Sequence, residues 1–120
     1  MTTILAVDDS AAMRQMVNIA LTGAGYQVTQ AADGLEALRI AAQQTFDLVI
    51  TDVNMPNMDG ITLVRELRGR PEYKYVPLLV LTTEATAERK QQGKAAGATG
   101  WLVKPFNPEK LLSTISKVVR

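Results

Sequence analysis

Five short apolar runs recur along the chain, and their spacing constrains the fold more than any other feature. The runs cover residues 4–7, 26–28, 48–50, 77–81 and 101–103. Three of them are continuously apolar, as in strands covered on both faces, which belong to parallel sheets. A helical pattern follows each run. The sequence therefore predicts five βα units that form a doubly wound, open parallel sheet with right-handed connections.

Apolar side chains at helical spacing mark four of the five connecting helices. The predicted stripes are Met13, Met16, Val17, Ala20, Leu21 and Ala24; Leu35, Leu38 and Ala42; Ile61, Val64 and Leu67; and Leu111, Leu112, Ile115, Val118 and Val119. Gly25 is expected to end the first helix. Asn107 is expected to cap the last helix, with Pro108 at its first position.

The fourth helix, at about residues 86–96, has a different pattern. It contains no large apolar residue, and Gly93 lies inside it. A glycine in a helix interior costs about 1 kcal/mol relative to alanine. Two interpretations stay open at this point: a surface helix that packs through alanines, or a weakly held element that is suited to moving.

Composition excludes much catalytic chemistry. The chain has 120 residues without a linker or low-complexity segment, so we expect one domain over residues 1–120. It has no cysteine and no histidine. Disulfides, thiol nucleophiles, imidazole bases and most zinc sites are therefore excluded.

The net charge of +1 conceals an asymmetry between the two halves of the chain. Residues 1–60 hold seven acids and two bases, and residues 61–120 hold five acids and eleven bases. Such polarity marks either a nucleic-acid surface or an acidic cation site. No basic run exceeds Arg89-Lys90, which favours the cation site. With no signal peptide and no apolar run long enough to span a bilayer, we expect a cytoplasmic protein without nucleic acid or membrane as a partner.

Charged or hydroxyl side chains follow four of the five runs. Asp8 and Asp9 follow the first run, Asp52 the third, Thr82 and Thr83 the fourth, and Lys104 the fifth. The carboxyl ends of parallel strands meet at one edge of a sheet, where ligands bind. At roughly 5 Å and an effective dielectric of about 20, each pair of carboxylates repels by about 3 kcal/mol. Lys104 offsets part of this repulsion, and Mg²⁺, which prefers oxygen ligands, would offset more.

Each of these residues also has an ordinary structural explanation. Asp9 or Ser10 could cap the first helix, Asp52 could be a turn residue, and Lys104 could be a surface lysine. Their meeting at one edge favours phosphoryl transfer instead. A carboxylate can attack phosphorus and form an acyl phosphate, and Asp52 on the central strand is the best candidate. Mg²⁺, Lys104 and the Thr82 hydroxyl would stabilise the phosphoryl oxygens.

The same residues stand in four motifs that carry a family resemblance. The motifs are Val7-Asp8-Asp9-Ser10, the segment 52–60 (DVNMPNMDG), Leu81-Thr82, and Lys104-Pro105-Phe106 after Gly97 and Gly100. With them the whole chain resembles response-regulator receiver domains, in particular single-domain chemotaxis proteins of the CheY type. The resemblance implies a flavodoxin-like (βα)₅ fold with strand order 2-1-3-4-5 and a cis Lys104-Pro105 bond.

The resemblance also implies roles at the site. Asp52 would accept a phosphoryl group from a histidine kinase of the CheA type. Asp9, Asp52 and the backbone carbonyl of Asn54 would bind Mg²⁺, with Asp8 assisting through water. Lys104 would contact the phosphoryl group.

A response to phosphorylation is implied in the same way. Thr82 would swing toward a phosphoryl oxygen, and Trp101 would change rotamer. The face of the fourth helix, fifth strand and fifth helix would then change its partner preference, with the candidate residues Ala87, Lys90, Lys94 and Trp101. Asn54 and Glu84 occupy the positions that tune autodephosphorylation, and a phosphatase is a further candidate partner.

Two residues depart from the family pattern. Trp101 replaces the usual Tyr or Phe, and we expect the larger indole to be restricted in turning inward and to lose the hydrogen bond of a phenol. Thr83 replaces a common Ala and is expected to crowd access to Asp52. These departures, with Lys90 and Lys94, leave the downstream target open, the flagellar motor switch being one candidate.

Two other classes of function remain as alternatives. A small-substrate aspartyl-phosphate phosphohydrolase would share the nucleophile and Mg²⁺, but it usually has a second acid two residues later, where this chain has Asn54. An interaction module that is never phosphorylated would keep the fold alone. We expect a monomeric switch that catalyses only its own phosphoryl transfer and dephosphorylation and is not otherwise an enzyme.

Overall fold

The computed structural model describes residues 1–119. Five parallel strands form one sheet in the order β2-β1-β3-β4-β5, which confirms the predicted topology. The elements in chain order are β1 (Thr3–Val7), α1 (Ala11–Gly23), β2 (Gln27–Ala31), α2 (Gly34–Gln43), β3 (Leu48–Thr51), α3 (Gly60–Arg68), a 3₁₀ turn (Pro71–Tyr73), β4 (Leu78–Thr82), α4 (Ala87–Ala96), β5 (Gly100–Val103) and α5 (Pro108–Val118).

The two faces of the sheet are buried in two separate apolar clusters. Alternate residues of β1 show this, since Leu5 packs with α2, α3 and α4 while Ile4 packs with α1 and α5. Both side chains are fully buried. Burial on both faces explains why the central strands are continuously apolar in sequence.

A polar side chain caps the start of each of the five helices. The caps are Ser10, Asp33, Asp59, Thr86 and Asn107, and each accepts a hydrogen bond from a backbone N–H in the first turn. Such caps satisfy helix donors that have no partner within the helix. The predicted cap at Asn107, with Pro108 after it, is confirmed.

The predicted faces of α1 and α2 need correction. Leu35 is 51% exposed and Ala42 is also exposed, whereas Gly34, Ala37 and Ala41 are buried. Small residues face inward on α2 because the helix lies close to its neighbours: a β-carbon at Gly34 would come within 2.7 Å of the Met58 carbonyl oxygen. The periodicity of apolar residues predicted the wrong face of α2, because close packing requires small side chains at the buried positions.

The stripe on α1 is narrower than predicted, and one strand extends further. Met16 is 54% exposed, because Val17 and Leu21 form the centre of the buried face and Met16 lies at its border. Strand β2 runs to Ala31 and passes beyond the predicted residues 26–28. None of the helices within residues 1–119 has the length and apolar character needed to cross a membrane.

Candidate functional site

The sheet brings the predicted site residues together at the carboxyl ends of its strands. Val7 and Thr51 are register partners at the ends of β1 and β3, so Asp8 and Asp52 follow side by side. The Asp52 N–H donates to the Val7 carbonyl at 3.0 Å, and the Lys104 N–H donates to the Thr82 carbonyl at 2.8 Å. Strand pairing therefore extends into the site and fixes the backbone of its members.

Three carboxylates form an acidic cluster at this edge. Oxygen atoms of Asp8, Asp9 and Asp52 all lie within 4.8 Å of one another. Asp8 is 6% exposed and Asp52 is 9% exposed, whereas Asp9 is exposed. The cluster thus has a buried floor of two carboxylates and one carboxylate at the solvent side.

Lys104 is the cation of the cluster. Its Nζ donates to Asp8 Oδ2 at 2.7 Å and to Asp52 Oδ2 at 2.9 Å, and its side chain is 9% exposed. Burial by itself lowers the pKa of this ammonium, but the hydrogen bonds and charges of Asp8 and Asp52 outweigh it and hold the pKa above its usual value. One ammonium among three carboxylates leaves an excess of negative charge that suits a divalent cation.

The remaining hydrogen bonds divide the roles of the acids. Asp8 Oδ1 accepts from the Ser10 N–H at 2.9 Å, and Asp52 Oδ1 accepts from the Val53 N–H at 2.6 Å. Ser10, and not Asp9, caps α1 by accepting from the Met13 N–H. Within residues 1–119, no hydrogen bond or ion pair engages the Asp9 carboxylate. Its oxygens are therefore available to a ligand.

The loop after Asp52 is held by contacts that the sequence interpretation missed. A β-carbon at Gly60 would stand 1.8 Å from the Asp52 carbonyl oxygen, so only glycine fits there. Asn57 adopts a left-handed backbone conformation with φ of 68°, and its side-chain amide donates to Asp33 Oδ2 at 2.8 Å. The sequence contains one signal for these contacts: Asp33 and Asp59, which flank the loop in space, are of the residue type that caps helices. These contacts position the backbone that carries Asn54.

Thr82 and Glu84 connect the acidic cluster to the start of α4. Thr82 is fully buried, and its Oγ1 accepts from the Glu84 N–H at 3.2 Å, while no hydrogen bond within residues 1–119 uses its hydroxyl proton. The Glu84 side chain accepts from the Asn54 amide at 3.2 Å. Asn54 and Glu84 are therefore in direct contact across the mouth of the site. The side chain of Thr83, expected to crowd this region, is exposed.

Trp101 has a hydrogen bond of its own, although a phenol bond was expected to be lost. The indole N–H donates to the Glu84 carbonyl at 2.9 Å, and the half-buried ring packs against the cluster under α2, α3 and α4. Gly93 provides the space, since a β-carbon there would lie 2.6 Å from Trp101 Cζ3. Neither interpretation of α4 foresaw this contact: Gly93 is buried, and it accommodates the indole.

The candidate partner face lies beside this ring. Ala87, Lys90 and Lys94 are exposed on α4. Lys90, Lys94 and Trp101 contribute to a groove of about 270 Å³ between α4 and β5. The Lys104-Pro105 bond at the end of β5 is cis, as predicted.

Comparison with known proteins decides the family. A family model for the response regulator receiver domain matches residues 4–116. The chain belongs to the response regulator receiver domain family. Receiver domains of the chemotaxis type are signalling switches of phosphorylation-dependent two-component systems and are not classical enzymes.

Individual relatives agree with this assignment. The receiver domain is 41% identical to the chemotaxis protein CheY-3 of Vibrio cholerae over 96% of this chain and 89% of that protein. A solved structure of CheY4 of Vibrio cholerae is 56% identical, covers 99% of both chains and superposes with a TM-score of 0.95. The receiver domain of the sensor histidine kinase PA1611 of Pseudomonas aeruginosa, solved with a magnesium ion in its active site cleft, is 31% identical, covers 98% of this chain and 96% of its own, and gives a TM-score of 0.91.

Proposed function

We propose that this receiver domain is a phosphorylation switch in which Asp52 accepts a phosphoryl group from a histidine kinase of the CheA type. One observation carries the proposal: the Lys104 ammonium bonds both Asp8 and Asp52 at the same strand edge where the Asp9 carboxylate has no partner within residues 1–119. A buried nucleophile, a cation and an unengaged metal ligand are the parts that phosphoryl transfer requires.

The donor set fits Mg²⁺. Asp9, Asp52 and the backbone carbonyl of Asn54 would hold the ion, with Asp8 assisting through water. Hard oxygen donors with retained waters are the ligands that Mg²⁺ prefers. The related PA1611 receiver domain was solved with magnesium in its cleft, which supports the same ion here. Bound Mg²⁺ supplies positive charge to the carboxylates and the phosphoryl oxygens.

The transfer step uses the Asp52 carboxylate as the nucleophile. One of its oxygens forms the bond to phosphorus while the N–P bond of the phosphohistidine breaks, and the electron pair stays on the imidazole nitrogen of the kinase. Lys104 lies against Asp52 and is placed to donate to a phosphoryl oxygen as negative charge moves outward. The free hydroxyl proton of Thr82 supplies a second donor.

Loss of the phosphoryl group would follow by attack of water on phosphorus, which returns the Asp52 carboxylate and inorganic phosphate. Asn54 and Glu84 stand at the mouth of the site, joined by a side-chain hydrogen bond. We propose that this pair governs where the attacking water can stand, and so sets the rate of autodephosphorylation. A phosphatase is a further partner that could act at the same opening.

The output would pass from Thr82 through Glu84 to Trp101 and the face formed by Ala87, Lys90, Lys94 and Trp101. The hydrogen bonds from Glu84 to Thr82 and from Trp101 to Glu84 give a continuous path between the site and this face. The two lysines favour a protein target with acidic side chains, and the flagellar motor switch is one candidate. We propose that the domain acts as a monomer in the cytoplasm.

The test is phosphoryl uptake from acetyl phosphate, followed by intact mass and by Trp101 fluorescence. The wild type is expected to gain one phosphoryl group in the presence of Mg²⁺ and to lose it as the donor is consumed. Asp52→Asn should gain none. Asp47→Asn is the matched control, since Asp47 lies at the opposite end of the sheet and bonds Thr3.

Each other result points to another class. A wild type that binds no Mg²⁺ and gains no phosphoryl mass would support the interaction module. Steady-state turnover of a phosphate ester with many cycles per molecule would support the phosphohydrolase. A mass gain without any fluorescence change would leave the phosphoryl acceptor in place and remove Trp101 from the proposed output path.

A further inference from the structure

Arg14 reaches from α1 back to the acidic cluster. It lies in the first turn of α1 and is half-buried. Its guanidinium Nη1 donates to the backbone carbonyl of Asp8 at 2.5 Å. The same side chain lines a small cavity together with Asp8 and Asp52. No role was assigned to this arginine from the sequence.

The carbonyl that Arg14 holds belongs to the peptide bond between Asp8 and Asp9. The orientation of that peptide plane determines the direction in which the Asp9 side chain leaves the backbone. On the other side, the Ser10 N–H is held by Asp8 Oδ1, and Ser10 begins α1. The Asp9 carboxylate has no protein partner among residues 1–119. Its position is therefore set by these two backbone anchors.

We propose that Arg14 is a positioning residue for divalent-cation binding, acting by fixing the Asp8–Asp9 peptide so that the Asp9 carboxylate faces Asp52. The inference rests on the proposed function, in which Asp9 is a Mg²⁺ ligand. Groups that orient metal ligands without touching the metal commonly change affinity by one to two orders of magnitude. Arg14 has this relation to Asp9.

A purely electrostatic role for Arg14 would act in the opposite direction. A guanidinium beside an acidic site repels a cation, so removing its charge should tighten Mg²⁺ binding. In the described part of the chain, both ion pairs of the acidic cluster are made by Lys104, and Arg14 bonds a neutral carbonyl. The sign of the change in affinity therefore separates positioning from charge.

The experiment measures Mg²⁺ affinity by calorimetric titration of the wild type, Arg14→Met and Arg14→Lys. Arg70→Met is the matched control, because Arg70 is also half-buried and donates to a backbone carbonyl, that of Leu38, away from the site. We expect Arg14→Met to bind Mg²⁺ about tenfold more weakly, Arg14→Lys to be intermediate, and Arg70→Met to match the wild type. Urea unfolding of each variant accounts for any change in stability.

A second readout keeps the proposal testable even if Arg14→Met folds poorly. The initial rate of phosphorylation of Arg14→Lys by acetyl phosphate should be reduced at low Mg²⁺ and should return to the wild-type rate at saturating Mg²⁺, since Arg14 does not touch the reacting atoms. Tighter or unchanged Mg²⁺ binding in the Arg14 variants, or a rate defect that saturating Mg²⁺ does not relieve, would overturn the proposal. A wild type that binds no Mg²⁺ would instead overturn the proposed function itself.

Discussion

The six-membered ring of Trp101 occupies the space where a side chain on Gly93 would begin. A β-carbon at Gly93 would lie 2.6 Å from Cζ3 and 3.0 Å from Cε3 of the indole. The ring is also tied by its N–H to the Glu84 carbonyl. The position of the Trp101 ring therefore depends on which residue stands at position 93. Gly93 weakens α4, but its lack of a side chain allows a tryptophan at position 101.

Gly93→Ala tests this coupling. The added methyl group must displace the indole, which costs about 1–3 kcal/mol by overpacking and outweighs the helix-propensity gain of about 1 kcal/mol. We expect lower stability in urea unfolding and a red-shifted Trp101 emission. Gly23→Ala is the control, since no atom of residues 1–119 would lie within 4 Å of the added β-carbon, and it should not lose stability. Unchanged emission and stability in Gly93→Ala would contradict the contact.

Trp101→Phe should rescue Gly93→Ala. Phenylalanine lacks the outer part of the indole, so the clash is relieved in the double variant. We expect the two substitutions to be non-additive by at least about 1 kcal/mol in a double-mutant cycle measured by urea unfolding. Additive effects would show that Gly93 is required for another reason.

Asp52→Asn should prevent phosphoryl uptake and raise stability in the absence of Mg²⁺. The substitution removes one carboxylate from a cluster of three. Lys104 loses its ion pair with Asp52 but keeps the one with Asp8, and the amide oxygen can still accept from the Val53 N–H. We expect a gain of up to about 1 kcal/mol, measured by urea unfolding in EDTA. Mg²⁺ should stabilise the wild type more than the variant. Equal or lower stability of the variant in EDTA would argue against crowding of the carboxylates.

Lys104→Met should destabilise the fold and strengthen Mg²⁺ binding. It leaves the buried carboxylates of Asp8 and Asp52 without their shared cation. We expect a loss of about 3 kcal/mol in EDTA, with a smaller loss at saturating Mg²⁺. Phosphoryl uptake should slow, because a donor to the phosphoryl oxygens is removed. Lys90→Met, on the exposed face of α4, should show none of these effects.

The Asp33 carboxyl is expected to make the stability of the fold depend on pH under acidic conditions. The backbone N–H of Glu36 and then the side-chain amide of Asn57 hold the pKa of the Asp33 carboxyl below its usual value. A lowered pKa contributes stability above the ordinary value of about 3.9, and that stability is lost as the pH falls through the folded-state value. The stability difference between the wild type and Asp33→Asn should therefore be constant from neutral pH down to about pH 5 and should shrink as the pH falls through the folded-state pKa of Asp33. A difference that persists at lower pH would contradict this assignment.

Much of the site could be predicted because parallel sheets place strand ends at one edge. Asp8, Asp9, Asp52, Thr82 and Lys104 each follow an apolar run, and the predicted βα order was enough to bring them together. The prediction failed where the distance between packed elements determines which side chain is buried. Leu35 was expected inside and is exposed, since a small residue, Gly34, takes the position against Met58.

The βα order, the cap at Asn107 and the chemical types at the strand ends were predictable from the sequence, because apolar periodicity and local hydrogen bonding depend on neighbours along the chain. The packing of the fold was needed to show that Lys104 bonds two acids while Asp9 has no partner within residues 1–119, that Arg14 holds the Asp8 carbonyl, and that Gly93 makes room for Trp101. These relationships join residues by distances of a few ångströms. Such contacts form only when separate strands and helices pack together, so they leave no periodicity or motif in the sequence.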